Sequence, residues 1–374
     1  MTWRRRLTIG GLIASTVTCA LLYVVVRELV FRKHLLRLPK SKELRHESLN
    51  EHFLKKAPTS AKCIGSVLYA TKNGGRLGNI MFELLGLYAI AEKTGRAPVV
   101  YENYMNDKIK ELSGNHPHVA SLFYDADTSE CGTPTFIDLH YKGCCKFDQE
   151  IIDGILAHES HQAVTLKLFY LQSFKFFNNL PRAAIHRFFT PGRKLLNAVG
   201  ELFELRPKRT NLNICVHIRR GDFTNSTETL ASEAMFSKSA VDYVLAKVQE
   251  EDSRSPQIYV MSDDDLWAKE TFRNRDMTNF VRQGVNVPLG SEWEFSRQFC
   301  DRVLLTASIS TYGYWIGFLS RGQKVYYNEN YTYNNGMQGQ LVTADFWPTH
   351  WTPLRYDDME KRVVEPPPFQ EMGL

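Results

Sequence analysis

Eight residues, Val216-His-Ile-Arg-Arg-Gly-Asp-Phe223, hold the densest chemistry in the sequence. A strand-like run, Asn211-Leu-Asn-Ile-Cys-Val-His-Ile218, ends in two consecutive arginines, and Gly221 and Asp222 follow at once. Two guanidinium groups held side by side call for an anion, because a buried charge without a partner is strongly unfavourable. Side chains alternate across a strand. Arg219 and Arg220 are therefore expected to point to opposite faces, one into a crevice and the other held beneath it by Asp222. The plain alternative is a structural Arg–Asp pair with no ligand. Further on, Ser308-Ile-Ser-Thr311 stands directly before a helix-like stretch. Hydroxyls and free N–H groups at a helix start suit phosphate. An arginine fork beside such a start suits a diphosphate. An ordinary Ser/Thr helix cap is the alternative.

Two other clusters invite a ligand. Asn73-Gly-Gly-Arg-Leu-Gly78 is glycine-rich, but Asn73 stands where GxGxxG needs its first glycine, and GxxxxGK[ST] does not fit. Both nucleotide-loop assignments are rejected. The glycines still allow backbone to approach a ligand or a facing loop. Asp263-Asp-Asp265 has the look of a DxD metal site, against which stands a solvated cluster capping the helix-like Leu266-Trp-Ala-Lys-Glu270. No metal is assigned.

The elements that must carry these residues read as alternating strands and helices. Ile64–Thr71 is strand-like. Asn79–Thr94 has apolar residues at Ile80, Leu84, Leu87, Tyr88 and Ala91, with Asn79 as N-cap and Gly95 as stop. Ala97–Tyr101 resumes as a strand. Such a βαβ unit predicts a parallel sheet with a right-handed crossover. After His217, a helix over Ser237–Gln249, strands at Gln257–Met261 and Arg302–Thr306, a helix over Tyr314–Ser320 and a strand at Lys324–Tyr327 follow the same logic. Three strands thus end in polar clusters, and ligands of open α/β sheets bind beyond the carboxyl ends of strands.

With 374 residues, the chain has room for about two domains at ~150 residues each. At 43% hydrophobic and 23% charged it can bury an ordinary globular core. The formal charge of +5 is spread out, with no block of five like charges, so no nucleic-acid partner is expected. Arg4, Arg5 and Arg6 precede Leu7–Val26, an uncharged run that as a helix would be about 30 Å long, enough to span a bilayer. A cleaved signal peptide is the rival reading, with Thr18-Cys-Ala20 as its cleavage site. The apolar run continues through Leu21–Val26, which favours an uncleaved anchor. Basic residues flank the run on both sides, so the positive-inside rule does not orient it. Residues 27–60 read as a stem. Asn225-Ser-Thr and Asn330-Tyr-Thr are glycosylation sequons, which point to a lumenal body. Setting aside Cys19, the cysteines 63, 131, 144, 145, 215 and 300 remain. They permit fifteen pairings. Disulfides are favoured over buried thiols, and no spacing suits zinc.

Gly75-Arg-Leu-Gly-Asn79, His217-Ile-Arg-Arg-Gly-Asp222, Ser262-Asp-Asp264 with Trp267, and Ser310-Thr-Tyr-Gly-Tyr-Trp315, in this order, resemble glycosyltransferase family 11, the galactoside α-1,2-fucosyltransferases. Tyr170-Leu-Gln-Ser-Phe-Lys175 is similar to a further segment of that family. The resemblance covers roughly residues 65–335. It implies an α/β, GT-B-like fold of two Rossmann-like lobes behind an N-terminal transmembrane signal anchor. The expected organisation is a cytoplasmic tail at 1–6, the anchor at 7–26, the stem at 27–60, an acceptor-side lobe at 61–205 and a donor lobe at 206–374. It also implies a type II Golgi membrane protein. Such a protein would transfer L-fucose from GDP-fucose, with inversion and with no required cofactor, to the 2-hydroxyl of a galactose-like residue on a glycoprotein or glycolipid glycan. Another GDP-fucose linkage, or an inactive sugar-nucleotide- or glycan-binding relative, is the alternative.

Carried over by motif, Arg219 and Asp222 are the expected catalytic pair. His217, Arg220, Asp263, Ser308, Ser310, Thr311 and Gly313 are expected at the donor, with His217 near the guanosine. Gly75, Arg76, Gly78 and Asn79 form the glycine loop, and Asn225 and Asn330 the glycosylation sites. The sequence departs from the family at Ile80, where glutamine is usual, and at Trp293, which stands between Glu292 and Glu294 near the register of an expected acid. No general base is assigned.

Overall fold

The computed structural model describes residues 54–67, 75–101, 112, 114–126, 129–137, 144–167, 170–202, 207–281, 288–333, 337 and 339–366. The Leu7–Val26 run, the tail before it, and Asn73 and Gly74 lie outside these residues. Among the described residues, no helix is long and apolar enough to cross a membrane.

The described residues build two sheets. The first contains β1 (Lys55–Lys56), β2 (Cys63–Ser66), β3 (Ala97–Val100), β4 (Tyr124–Asp125), β5 (Thr135–Ile137) and β6 (Ala163–Leu166). Their order is β1-β4-β3-β2-β6-β5, and every pairing is parallel. Lys55–Lys56 was expected in the stem. It forms the edge strand instead, beside β4, and Ala57 after it is buried. Between β2 and β3 runs α1 (Leu77–Thr94). Its buried residues circle the whole helix, as expected of one enclosed by core. Gly95 ends it at φ 65°, a left-handed conformation that glycine adopts without penalty. The N-cap expectation moves: Arg76 holds the cap position, and Asn79 lies inside the first turn.

The second sheet contains β7 (Leu212–Ile218), β8 (Pro256–Ser262), β9 (Thr278–Val281), β10 (Arg302–Leu305), β11 (Lys324–Asn328), β12 (Thr352–Asp357) and β13 (Arg362–Val364). Its order is β13-β12-β11-β10-β7-β8-β9, parallel except for the β12–β13 pair. All seven residues of β7 are buried, the pattern of a central parallel strand covered on both faces. From β7 the chain winds outward through β8 and β9, then returns to β10 on the other side of β7. The order reverses between β7 and β10, and there a doubly wound sheet opens its ligand crevice.

Helices that follow these strands carry the crevice. After α2 (Pro117–Leu122), α3 (Gln149–Ala157), α4 (Arg182–Phe188) and α5 (Arg193–Leu202) in the first half, they are α6 (Ala234–Glu251), α7 (Asp265–Thr271), α8 (Ser291–Phe299) and α9 (Thr311–Leu319). One apolar core joins the two sheets. Phe82 of α1 meets Trp315 of α9 at 4.5 Å between ring centroids, and Phe189 reaches the same indole at 4.7 Å. All six cysteines outside the N-terminal run are paired, as 63–131, 144–145 and 215–300. The last ties β7 to the end of α8.

Candidate functional site

The arginines leave β7 where its ladder ends. Arg219 turns to one side. One guanidinium nitrogen pairs with Asp263 Oδ2 at 2.8 Å and another with Asp222, and the cation lies 5.3 Å from the Phe223 ring centroid. Its side chain is 15% exposed, enough to meet a ligand from the crevice. Arg220 turns the other way. Its Nε donates to Asp264 at 3.2 Å, one terminal nitrogen donates to Ser232 O at 2.9 Å, and the cation stacks 4.3 Å from the Trp267 ring centroid. The expected alternation is present, but the partner of Asp222 is not the expected one. The chain after Arg220 enters a 3₁₀ turn, Gly221–Asn225, and residues three apart share a face of such a turn. Asp222 is thereby carried back to Arg219 rather than under Arg220.

Asp222 also receives Arg76, whose terminal nitrogen stands 3.3 Å from Oδ2. Guanidinium groups from the cap of α1 and from just beyond β7 thus converge on one carboxylate. Arg76 is the cap residue of α1, and no side chain caps that helix start. Beside it begins α9, capped by Ser310, which accepts from Gly313 N at 3.3 Å. The two starts touch. Thr311 Oγ1 donates to Asn79 Oδ1 at 2.6 Å, and Trp315 Nε1 donates to Gly78 O at 3.0 Å. Each helix start carries a positive dipole end. Two arginines and two helix starts gathered in this way favour an anion over a cation.

His217 lies beneath this surface, 3% exposed, with Nε2 3.1 Å from Ser310 Oγ. Burial pushes its pKa down to about 4, so the ring is neutral at physiological pH. Gly313 leaves room for it: a Cβ there would stand 2.2 Å from His217 Cδ2. The imidazole therefore supports the α9 start from below. Ser308 is fully buried and donates to Asn328 O at 2.5 Å, which fixes the neighbouring strand ends. Asp263 accepts from Arg220 N at 2.8 Å and pairs with Arg219, so its carboxylate serves the arginines. Asp264 caps α7 by accepting from Trp267 N at 3.1 Å, as the capping alternative had it. Among the described residues no cluster of three His, Cys, Asp or Glu side chains is arranged to hold a metal.

Glu292 and Glu294 are both buried. Glu294 holds Arg297 at 2.7 Å, and Glu292 accepts from the Tyr312 hydroxyl. Burial, with the Glu292 charge, raises the Tyr312 phenol well above its ordinary pKa and keeps it protonated. The Tyr170–Lys175 segment docks on the C-terminal half, where Ser173 Oγ donates to Asp345 O at 2.7 Å and Lys175 pairs with the Asp345 carboxylate at 2.6 Å. Asn225 and Asn330 are both exposed. Sequence reasoning missed Ser232 and Thr306, which hold the backbone at Arg219. Neither belongs to a motif, and only their burial beside β7 marks them.

Residues 160–353 match the model of glycosyl transferase family 11. The chain is 30% identical over 313 residues to a putative galactoside 2-alpha-L-fucosyltransferase, svh-11, of Caenorhabditis elegans, covering 80% of each protein. It is 28% identical over 343 residues to a galactoside 2-alpha-L-fucosyltransferase of the same organism, covering 82% of this chain and 83% of the relative. The crystal structure of fucosyltransferase NodZ from Bradyrhizobium covers 70% of this chain and 92% of its own at a TM-score of 0.40 and 11% identity, a likeness that adds no weight.

Proposed function

The chain belongs to glycosyltransferase family 11, and from that premise we propose that it is a fucosyltransferase that takes L-fucose from GDP-fucose. The observation that carries this reading is the meeting of Arg76, Arg219 and two helix starts at one point between the sheets. Breaking the sugar–phosphate bond loads negative charge onto the leaving diphosphate. Guanidinium groups and N–H donors already in place stabilise that charge as it develops, without reorganising. The diphosphate takes the place that Asp222 holds on the two arginines. Asp263 keeps Arg219 aimed. Asp222, held between two cations, is not assigned as a base.

The two sheets serve as the lobes of a GT-B-like architecture, with the 206–374 half holding the donor and the 61–205 half facing the acceptor. The acceptor is a terminal galactose-like residue attacked through its 2-hydroxyl, with inversion at the fucose carbon. Leu7–Val26 anchors the protein in the Golgi membrane with the catalytic body in the lumen. Exposed sequon asparagines and the three disulfides suit that oxidising compartment. No metal takes part, because the arginines and helix starts carry the phosphate charge.

The test is transfer of labelled fucose from GDP-fucose to a panel of galactose-terminated glycans by the detergent-solubilised full chain, with and without EDTA. Fucose should appear on the galactose 2-position in both. Transfer to no glycan, with no hydrolysis of the donor, contradicts the enzyme reading. Activity abolished by EDTA and restored by manganese contradicts the metal-free one.

A further inference from the structure

Arg219 is aimed only as well as its backbone is held, and the β-ladder that holds β7 stops at Ile218. Ser232, fully buried in the segment before α6, takes over there. Its Oγ accepts from Arg219 N at 2.9 Å, and its own N–H donates to Arg219 O at 2.9 Å. Its hydroxyl also lies 2.6 Å from Thr306 Oγ1, at the end of β10. Thr306, equally buried, donates that hydroxyl to His217 O at 2.7 Å. The proton order follows from these contacts. Thr306 spends its hydrogen on His217 O, so Ser232 must donate to Thr306 while accepting from Arg219 N–H. The result is a one-way chain from Arg219 N–H through two hydroxyls to the carbonyl of His217, two residues upstream. It closes a ring around the strand exit at the switch between β7 and β10. The carbonyl of Ser232 completes the hold by accepting from the Arg220 guanidinium.

We propose that Ser232 is a positioning residue for Arg219, acting on its backbone while Asp263 holds its guanidinium, with Thr306 linking Ser232 to the end of β10. This rests on the donor reading above. Deleting the Ser232 hydroxyl leaves a half-buried backbone N–H and a buried hydroxyl lone pair without partners. The strand exit must then turn to find new ones, and the guanidinium moves with it.

The experiment is a double-mutant cycle on the full chain, using Ser232→Ala and Arg219→Lys singly and together. The readouts are kcat with saturating GDP-fucose, GDP affinity and Tm. Ser232→Ala should lower kcat about tenfold, the scale of one lost buried hydrogen bond expressed in the transition state, with little change in GDP affinity. In the Arg219→Lys background the same change should cost almost nothing in kcat, while its effect on Tm stays the same. A merely structural serine lowers Tm in both backgrounds and gives kcat losses that multiply. If Ser232→Ala does not fold, Thr306→Val is used in its place, with a smaller kcat loss and the same non-additivity expected. Wild-type kcat in the serine variant, or losses that multiply, overturns the proposal while the donor reading stands. A wild-type chain that neither transfers nor hydrolyses GDP-fucose overturns both.

Discussion

Adding a single methyl group at Gly78 tests the contact on which the site depends. A Cβ there would lie 2.7 Å from the carbonyl carbon and Oγ1 of Thr311 and 2.7 Å from Tyr312 N, whereas ordinary contact begins at 3.4 Å. The two helix starts must part by some 0.7 Å, the difference of those distances. Two of the three crowded atoms are backbone, and the turn is pinned by the Thr311–Asn79 and Trp315–Gly78 hydrogen bonds, so it has no easy way to yield. Overpacking of this kind costs about 1–3 kcal/mol. Replacing glycine by alanine in a helix returns at most ~1 kcal/mol, and less in the first turn. Gly78→Ala should therefore be destabilised by roughly 1–2 kcal/mol, a Tm loss of about 1–3 °C for a chain of this size. Gly86, in the same helix, is the control. Its Cβ would stand 3.3 Å from Leu171 Cβ and Cδ1, so the neighbour must yield by only about 0.1 Å to reach ordinary contact at 3.4 Å. Gly86→Ala should be neutral or stabilising. The assay is thermal unfolding by circular dichroism, with GDP titration alongside. Affinity for GDP should fall for Gly78→Ala alone, because the helix starts proposed to face the diphosphate would have moved. Equal Tm and equal GDP binding in both variants would refute the contact and the convergence built on it.

Arg219→Lys replaces a fork that holds two carboxylates with a single point donor. Its kcat should fall about 10²–10³-fold, more than its GDP affinity, and steady-state kinetics with calorimetry separates the two. Arg220→Lys loses the Asp264 and Ser232 contacts and the stack on Trp267, so it should lower Tm and spare most of kcat. For pH, the native His217 pKa is depressed to about 4, against an unfolded value near 6.5. Its contribution is full above pH ~6.5 and is lost as pH falls toward 4, because the unfolded chain takes up a proton that the native one refuses, at up to ~1.4 kcal/mol per pH unit. Tm should drop across that window, less steeply in His217→Asn, and a flat profile contradicts the burial. Protein made in a secretory cell should shift on endoglycosidase treatment, and Asn225→Gln with Asn330→Gln should abolish the shift; digestion of the body in sealed microsomes contradicts the lumenal orientation.

Strands covered on both faces were readable from the sequence because burial writes itself as a largely apolar run, as in Leu212–Ile218 and residues 303–305. Thr278–Val281, at the sheet edge, and the two-residue Lys55–Lys56 carry no such run and were invisible. The start of α1 was misplaced by the side chain of Asn79, a good capping type that is spent on Thr311 far along the chain. Arg76 and Asp222 were each singled out, yet their pairing joins a helix cap in one half to a turn in the other, far apart in sequence, which no local pattern encodes. Ser232 leaves no sequence signal, since a buried serine that holds a backbone looks like any loop serine.

The aspartate run after β8 gains its meaning from register. β7 and β8 pair in parallel with Ile218 opposite Ser262. One step further, Arg219 stands level with Asp263, and after another Arg220 stands level with Asp264. Alternation sends successive side chains to opposite faces on both strands, so each arginine finds one aspartate on its own side, and the ion pairs are 219–263 and 220–264. Gly221 completes the fit, since a Cβ there would stand 2.5 Å from Asp263 Oδ2. What resembled a DxD metal site is the counter-charge of the arginine pair, extended past the ends of two adjacent strands. Two consecutive arginines are tolerated at a strand end because the neighbouring strand ends in two consecutive acids in the same register. The acids hold both guanidinium groups in place before any ligand arrives, so on the proposed donor reading an incoming diphosphate would meet an arginine already oriented.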